Sequence, residues 1–171
     1  AGARKKIAKK TIFNLIGPLS NPAQVKKQVV GVFNEKWMIP FAEALRENKA
    51  ENAMIVHSQD GMDEISPFAK TRIIELNNNK IRDFIIDPSE LNITKKNKEN
   101  LKGKNAEYNA QKIIDIYKGV DNEFSNAVAL NVAAGLIITT TGKNFKDSYN
   151  LAKQHLKSGK VFNHLQKIQA I

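Results

Sequence analysis

The sequence predicts an α/β fold, a βαβ-based sheet with a β-hairpin packed by helices, in a single domain over residues 1–171. Three observations predict it: two apolar runs separated by a helical stripe, two strand-like runs around an asparagine tripeptide, and a long apolar helical segment near the C-terminus. With 171 residues, of which 42% are hydrophobic and 26% charged, the chain is long enough to bury one core.

The βαβ unit is predicted from the first apolar runs of the chain. Residues 28–33 (QVVGVF) are rich in β-branched side chains and follow the turn-rich segment GPLSNPA, as is typical of a strand. Trp37, Phe41 and Leu45 then recur every four residues, which predicts a helix. Residues 53–56 form the second strand. Strand, helix and strand at this spacing indicate parallel strands joined by a right-handed crossover.

The hairpin is predicted from residues 71–76 and 80–86, which flank three asparagines, a residue type that tolerates positive φ. Residues 90–103 have no sustained period and are expected to form an exposed loop. Helices are expected from residue 105 to a C-cap at Gly119, and over residues 124–138, 145–157 and 161–168. In the first of these helices, one face is shared by Ala106, Asn109, Ala110, Ile113 and Tyr117. Residues 124–138 are apolar on nearly all sides, which predicts a buried helix.

Composition narrows the classes of function. The chain has no cysteine, which excludes disulfides and thiolate metal sites. No apolar run approaches the roughly 18 residues that a membrane helix needs, so we expect no membrane partner and a cytoplasmic location.

The net charge of +10 raises the question of a nucleic-acid partner. The basic residues are mostly lysines scattered along the chain, and the basic clusters at residues 4–10 and 95–104 contain no aromatic residue for base stacking. We therefore do not expect nucleic acid as a partner.

The segment VHSQDGMDEIS (residues 56–66) places His57, Asp60, Asp63 and Glu64 directly after the second predicted strand. Ligands of βαβ units gather at the carboxyl ends of the strands. Mg²⁺ prefers carboxylate, water and phosphate oxygens, which Asp63 and Glu64 would suit. An adjacent acidic pair is also common in solvated turns, so the local sequence leaves both interpretations open.

The two other ionisable residues of this segment have simpler interpretations. His57 is either a catalytic group or an imidazole hydrogen-bonded at the end of a strand. Asp60 is expected to accept a backbone hydrogen bond in an Asx-type turn. His155 and His164 lie in predicted helices and are assigned no function.

Four segments, taken in their order and at their separations, resemble the anthranilate phosphoribosyltransferase family across essentially the whole chain. They are KKTIFNLIGPLSNPA (residues 9–23), VHSQDGMDEIS (56–66), LKGKNAEYNA (101–110) and AVALNVAAGL (127–136). The chain departs from the family pattern at Ala8, Lys10 and Asn105. The family's Gly-rich GTGGD phosphate loop and its smaller helical domain have no equivalent here. We therefore expect the C-terminal part of the larger domain of a nucleoside phosphorylase/phosphoribosyltransferase-type fold, inactive by itself.

The resemblance implies transfer of phosphoribose from phosphoribosyl pyrophosphate to the amine of anthranilate, in tryptophan biosynthesis, with Mg²⁺. It implies that Asp63 and Glu64 are the metal ligands and that Arg4 contacts the anthranilate carboxylate, which the planar guanidinium matches. It also implies a homodimer for the full-length enzyme, which would include the missing N-terminal half. Asn109 and Asn131 match family segments too, and we expect them to satisfy buried backbone groups.

Two other functions are open at this point. One is a nucleic-acid-binding, non-catalytic relative of the same family, which only the net charge favours. The other is a pyrimidine nucleoside phosphorylase, which shares the general architecture but which the four segments resemble less.

Overall fold

The computed structural model describes residues 15–93 and 97–171. The strands are β1 (Lys27–Gly31), β2 (Asn52–Ser58), β3 (Thr71–Asn77) and β4 (Lys80–Ile86), and they lie side by side in that order. The helices are α1 (Ile16–Leu19), α2 (Met38–Glu47), α3 (Ala106–Tyr117), α4 (Glu123–Ile138), α5 (Phe145–Lys157) and α6 (Lys160–Gln169). Short 3-10 turns occupy Glu35–Trp37, Pro88–Leu91 and Lys98–Leu101. The architecture is the α/β sheet packed by helices that the sequence predicts.

The sheet is mixed. β1 and β2 are parallel, with Gly31 opposite Val56, and α2 connects them, so the predicted βαβ unit is confirmed. β3 and β4 pair antiparallel and form the predicted hairpin. Its turn consists of Asn78 and Asn79, whose φ angles of 45° and 71° match a two-residue type I′ turn.

Strand β2 is buried on both faces and so divides the core into two layers. Its side chains alternate: Ile55 faces α2, whereas Met54 and Val56 face the helices of the C-terminal part. The layer against α2 includes Val30, Ile74, Leu76, Met38, Phe41, Ala42 and Leu45. The opposite layer includes Ile73, Ala129, Leu130, Ala133, Ala134 and Tyr149. The small residues of α4 let this helix lie close to the sheet, as its apolar sequence predicts.

A polar network joins the start of α4 to α5. The Lys153 ammonium group, whose side chain is 13% exposed, pairs with Asp121 and donates to Ser125 Oγ at 2.9 Å and Asn126 Oδ1 at 2.7 Å. Tyr149 donates its hydroxyl to Asn126 at 3.0 Å. Hydrogen bonds from Lys153 and then Lys157 lower the pKa of Asp121 to about 2. The carboxylate is therefore charged throughout the neutral range.

The first strand ends earlier than the sequence predicts. β1 ends at Gly31, although Val32 still donates its N–H to the Val56 carbonyl at 3.0 Å. The chain turns away because Asn34 caps the 3-10 turn Glu35–Trp37, accepting from the Lys36 N–H. Trp37 precedes α2 but packs against the same core layer as Phe41 and Leu45, as its place in the predicted stripe indicates.

One prediction about exposure is wrong. Leu91 and Ile93 lie in the segment expected to be an exposed loop, yet they are only 9% and 7% exposed and belong to the core. In α3 Ile116 is buried, whereas Ile113 is 48% exposed. Within the described ranges, no helix is both long and apolar enough to span a membrane.

Candidate functional site

The connection between β2 and β3, residues 59–70, is called here the acidic loop. β1 and β2 are parallel, so Gly31 and Ser58 end at the same edge of the sheet, and the acidic loop begins at this edge. It carries Asp60, Asp63 and Glu64. The acidic residues therefore lie at the carboxyl ends of the parallel strands, as the sequence predicts.

Asp60 shapes the loop from within. Its Oδ1 accepts from the Met62 N–H at 3.3 Å, the predicted Asx-type bond, and its Oδ2 accepts from Ser66 Oγ at 2.8 Å. Lys98 lies 3.5 Å from Oδ2 and also donates to the Asp60 carbonyl at 2.7 Å. Burial on its own raises the pKa of Asp60, but these hydrogen bonds and the charge of Lys98 outweigh it and hold the pKa below its usual value. Asp60 is thus an ionised structural group.

Asp63 and Glu64 differ from Asp60 in that both are exposed. Within residues 15–93 and 97–171, neither side chain forms a hydrogen bond or an ion pair. The backbone beside them is nevertheless held closely, because the carbonyl of Asp63 packs on Gly31 at the end of β1. The two carboxylates are therefore available to a ligand and are carried on a fixed backbone.

The residue after this pair is anchored to α4. Ile65 is fully buried, and its N–H donates to Asn131 Oδ1 at 3.1 Å. Asn131 Nδ2 donates in turn to the Ile65 carbonyl at 3.2 Å and to the Ala127 carbonyl at 2.9 Å. The prediction that Asn131 satisfies buried backbone groups is confirmed. Asn109 is different, because it is exposed and accepts from the Lys104 N–H at 2.9 Å, so its predicted burial is wrong.

His57 joins the ends of the two parallel strands. It is half-buried, and its Nδ1 lies 2.8 Å from the Val32 carbonyl, which can only accept, so Nδ1 carries the donated hydrogen. The structure thus shows His57 as an imidazole hydrogen-bonded at the end of a strand, which is one of its two interpretations from the sequence.

Arg72, at the start of β3, is a residue at the edge of the site that the sequence reasoning missed. It lies opposite His57 in the sheet, and its guanidinium contacts Glu35 Oε1 at 2.6 Å and both oxygens of Asp83, at 3.0 Å and 2.5 Å. The hydrogen bond from Arg72 lowers the pKa of Asp83 despite some desolvation. Arg72 thereby fastens the turn before α2 to the hairpin. A lone arginine in a strand gives no sequence signal for such long-range pairs.

The acidic loop carries ligands of the kind that Mg²⁺ accepts. Among the described residues, no three or more His, Cys, Asp or Glu side chains gather as a metal cage. Zinc and calcium sites draw more ligands from the protein, whereas Mg²⁺ keeps several waters and is commonly held by one or two carboxylates plus substrate phosphates. Asp63 and Glu64 meet that requirement.

Arg4, the residue expected to contact the anthranilate carboxylate, lies outside the described residues. Its proposed contact remains a prediction from the sequence.

The fold and the acidic loop at the carboxyl edge of its parallel strands are those of an α/β transferase domain. The chain belongs to the glycosyl transferase family, whose a/b domain model matches residues 1–162.

Individual relatives carry a more specific name than the family does. The chain is 52% identical over 168 residues to an anthranilate phosphoribosyltransferase of Pelagibacter ubique (strain HTCC1062), covering 98% of this chain and 51% of that protein. It is 36% identical over 168 residues to the enzyme of the same name from Rhodopseudomonas palustris (strain BisB5), covering 98% and 50%. The resemblance inferred from the four segments is confirmed. The chain spans about half the length of the curated relatives it matches.

Two solved structures have the same fold as this chain. The anthranilate phosphoribosyltransferase of Thermus thermophilus is 32% identical and superimposes with a TM-score of 0.86, over 98% of this chain and 49% of that one. The Saccharomyces cerevisiae enzyme in complex with PRPP and Mg has a TM-score of 0.83 over 96% of this chain and 48% of that one. At 24% identity, the yeast structure supports the fold alone.

Proposed function

We propose that this chain is part of an anthranilate phosphoribosyltransferase and that Asp63 and Glu64 hold its Mg²⁺. The observation that carries the proposal is the pair of exposed carboxylates on a fixed backbone, at the carboxyl edge of the sheet, in a chain 52% identical to an enzyme of that name. The reaction transfers phosphoribose from phosphoribosyl pyrophosphate to the amine of anthranilate.

In this reaction the bond between ribose C1 and the pyrophosphate breaks, leaving positive charge on the ribose and negative charge on the leaving group. A Mg²⁺ ion held at this edge of the sheet would supply positive charge opposite the negative charge of the leaving group. Asp63 and Glu64 supply the anionic oxygens that hold a cation at the edge of the sheet. Gly31 and Asn131 fix the backbone that carries them, so little reorganisation is needed when substrate binds.

The acceptor is proposed to be oriented by Arg4, because a guanidinium can form two parallel hydrogen bonds with the carboxylate of anthranilate. This part of the proposal is supported by the resemblance of the sequence. On the same ground we propose that residues 1–171 form one α/β domain of a cytoplasmic enzyme. We also propose that the enzyme is homodimeric at full length and that this domain works with the half of the protein that this chain does not span.

The alternative of a nucleic-acid-binding relative gains no support from the comparisons, whose relatives are transferases by name. The structure also pairs some of the lysines that make up the net charge. Lys98 contacts Asp60, and Lys153 contacts Asp121.

The test is an assay of the full-length protein with phosphoribosyl pyrophosphate, anthranilate and a magnesium titration. We expect Mg²⁺-dependent consumption of anthranilate, with a product whose mass equals anthranilate plus phosphoribose. No consumption of anthranilate, together with phosphorolysis of a pyrimidine nucleoside, would instead identify a nucleoside phosphorylase.

A further inference from the structure

We propose that Asn131 of α4 is a positioning residue for the metal site of the acidic loop. The inference rests on the proposed function, in which Asp63 and Glu64 bind Mg²⁺.

The contacts of Asn131 restrain two consecutive peptide groups. Its Oδ1 accepts from the Ile65 N–H at 3.1 Å, and this N–H belongs to the peptide that links Glu64 to Ile65. Its Nδ2 donates to the Ile65 carbonyl at 3.2 Å, which belongs to the following peptide. With both groups held by one planar amide, the backbone on the carboxyl side of Glu64 has little freedom to rotate.

Asn131 is itself fixed. Its Nδ2 also donates to the Ala127 carbonyl one turn earlier in α4, at 2.9 Å, which sets the orientation of the amide. α4 packs against the sheet through Leu130 and Ala134, which are fully buried. Through Asn131, Ile65 and the acidic loop are therefore held in a fixed position relative to the core of the domain.

The carboxylates depend on this restraint of the backbone. The side chains of Asp63 and Glu64 form no hydrogen bond or ion pair within the part of the chain that the structure describes. Their positions follow from the backbone, which is held on one side by Gly31 and on the other by Asn131. Partners that orient metal ligands typically change metal affinity by about 10-fold to 100-fold when removed.

If Asn131 only stabilised the fold, replacing it would affect metal binding no more than replacing another asparagine of α4. Such an asparagine serves as a matched control. Asn126 is a half-buried amide on the same helix, and it accepts from Tyr149 at 3.0 Å and from Lys153 at 2.7 Å. These partners lie in α5, away from the acidic loop. Replacing either asparagine should lower stability, but only the loss of Asn131 should weaken metal binding.

The experiment uses the full-length protein and Mn²⁺ as the probe, with binding followed by electron paramagnetic resonance in the presence of inorganic pyrophosphate. Asn131→Ala is expected to weaken Mn²⁺ binding by about 10-fold or more, whereas Asn126→Ala should stay within about 2-fold of the parent. Thermal unfolding of both variants measures the structural effect separately. Should Asn131→Ala not fold, Asn131→Ser replaces it, because a serine hydroxyl can still donate to the carbonyl one turn earlier but cannot hold both groups of Ile65.

A double variant, Asp63→Asn with Glu64→Gln, tests the metal assignment separately from the positioning role of Asn131. If it binds Mn²⁺ as the parent does, the metal assignment is wrong and the inference fails with it. If it loses binding while the Asn131 variants keep parental affinity, the metal assignment stands and the positioning role is wrong. Equal losses of affinity in the Asn131 and Asn126 variants would likewise overturn the positioning role.

Discussion

The backbone carbonyl oxygen of Asp63 occupies the space that a Cβ atom at Gly31 would need. The colliding atom belongs to the backbone of the acidic loop and cannot rotate away as a flexible side chain could. Only glycine at the end of β1 therefore allows Asp63 and Glu64, carried by the loop after β2, to lie where they do.

Gly31→Ala should push the acidic loop away from β1. We expect a loss of roughly 1–3 kcal/mol in the free energy of unfolding, which is typical of overpacking, together with weaker Mn²⁺ binding. The matched control is Gly135→Ala in α4, where a Cβ would meet nothing within 4 Å. Alanine there should leave stability unchanged or raise it by roughly 0.5–1 kcal/mol. Urea unfolding and a metal titration measure both effects, and parental metal affinity in Gly31→Ala would contradict the prediction.

Replacing both carboxylates, Asp63→Asn with Glu64→Gln, should keep the shapes of the side chains and remove the charge that holds the metal. In the full-length enzyme, kcat/KM should fall by an amount equivalent to roughly 3 kcal/mol of barrier, as for a lost electrostatic group. A high Mg²⁺ concentration should restore part of the lost kcat/KM, because mass action offsets weaker metal binding. The melting temperature should change little, because both residues are exposed. Kinetics that match the parent at every magnesium concentration would show that the acidic pair is an ordinary solvated turn.

Arg4→Ala in the full-length enzyme should raise the KM for anthranilate and leave the KM for phosphoribosyl pyrophosphate nearly unchanged. The reason is that the guanidinium is proposed to hold only the carboxylate of the acceptor. Arg4→Lys should also be impaired, because an ammonium group cannot form the planar pair of hydrogen bonds. Steady-state kinetics with each substrate varied in turn will test this, and equal weakening of both substrates would point to a role in folding.

Asp121 should make stability depend on acid pH. Its pKa in the folded protein is about 2, below the ordinary value of 3.8, because Lys153 and Lys157 donate hydrogen bonds to it. Its stabilising effect is therefore complete above pH 3.8 and is lost as the pH falls through about 2. Asp121→Asn should be less stable than the parent at pH 6, and the difference should shrink as the pH drops below about 4. Urea unfolding at several pH values measures it, and a difference that stays constant with pH would refute this role for the ion pairs.

The elements of the fold could be predicted from the sequence because their signals are local. The type I′ turn follows from Asn78 and Asn79, since asparagine tolerates positive φ. Asn105 caps α3 by accepting from the Tyr108 N–H, close to where the helical pattern begins. The location of Asp63 and Glu64 at the carboxyl edge of the sheet followed from the βαβ unit alone.

What the sequence did not reveal depends on contacts between distant segments. Gly31 lies within a β-branched run, where a glycine is a known sign of close backbone approach, but nothing local identifies Asp63 as the residue that approaches it. The partner of Asn131 could not be identified, because nothing local relates an amide in α4 to Ile65. The buried side of α3 is undetermined for a similar reason, since the helices packed against α3 select the side that carries Ile116.

The hydrogen bonds between Ile65 and Asn131 join positions 66 residues apart in the chain. Asp63 and Glu64 are neighbours in sequence, yet they reach their final arrangement only after α4 has docked on the sheet. Forming such a distant contact costs loop-closure entropy, so we expect it to form late in folding. A bound divalent cation should therefore stabilise the native state more than the folding transition state, slowing the unfolding of the domain while leaving its folding rate nearly unchanged.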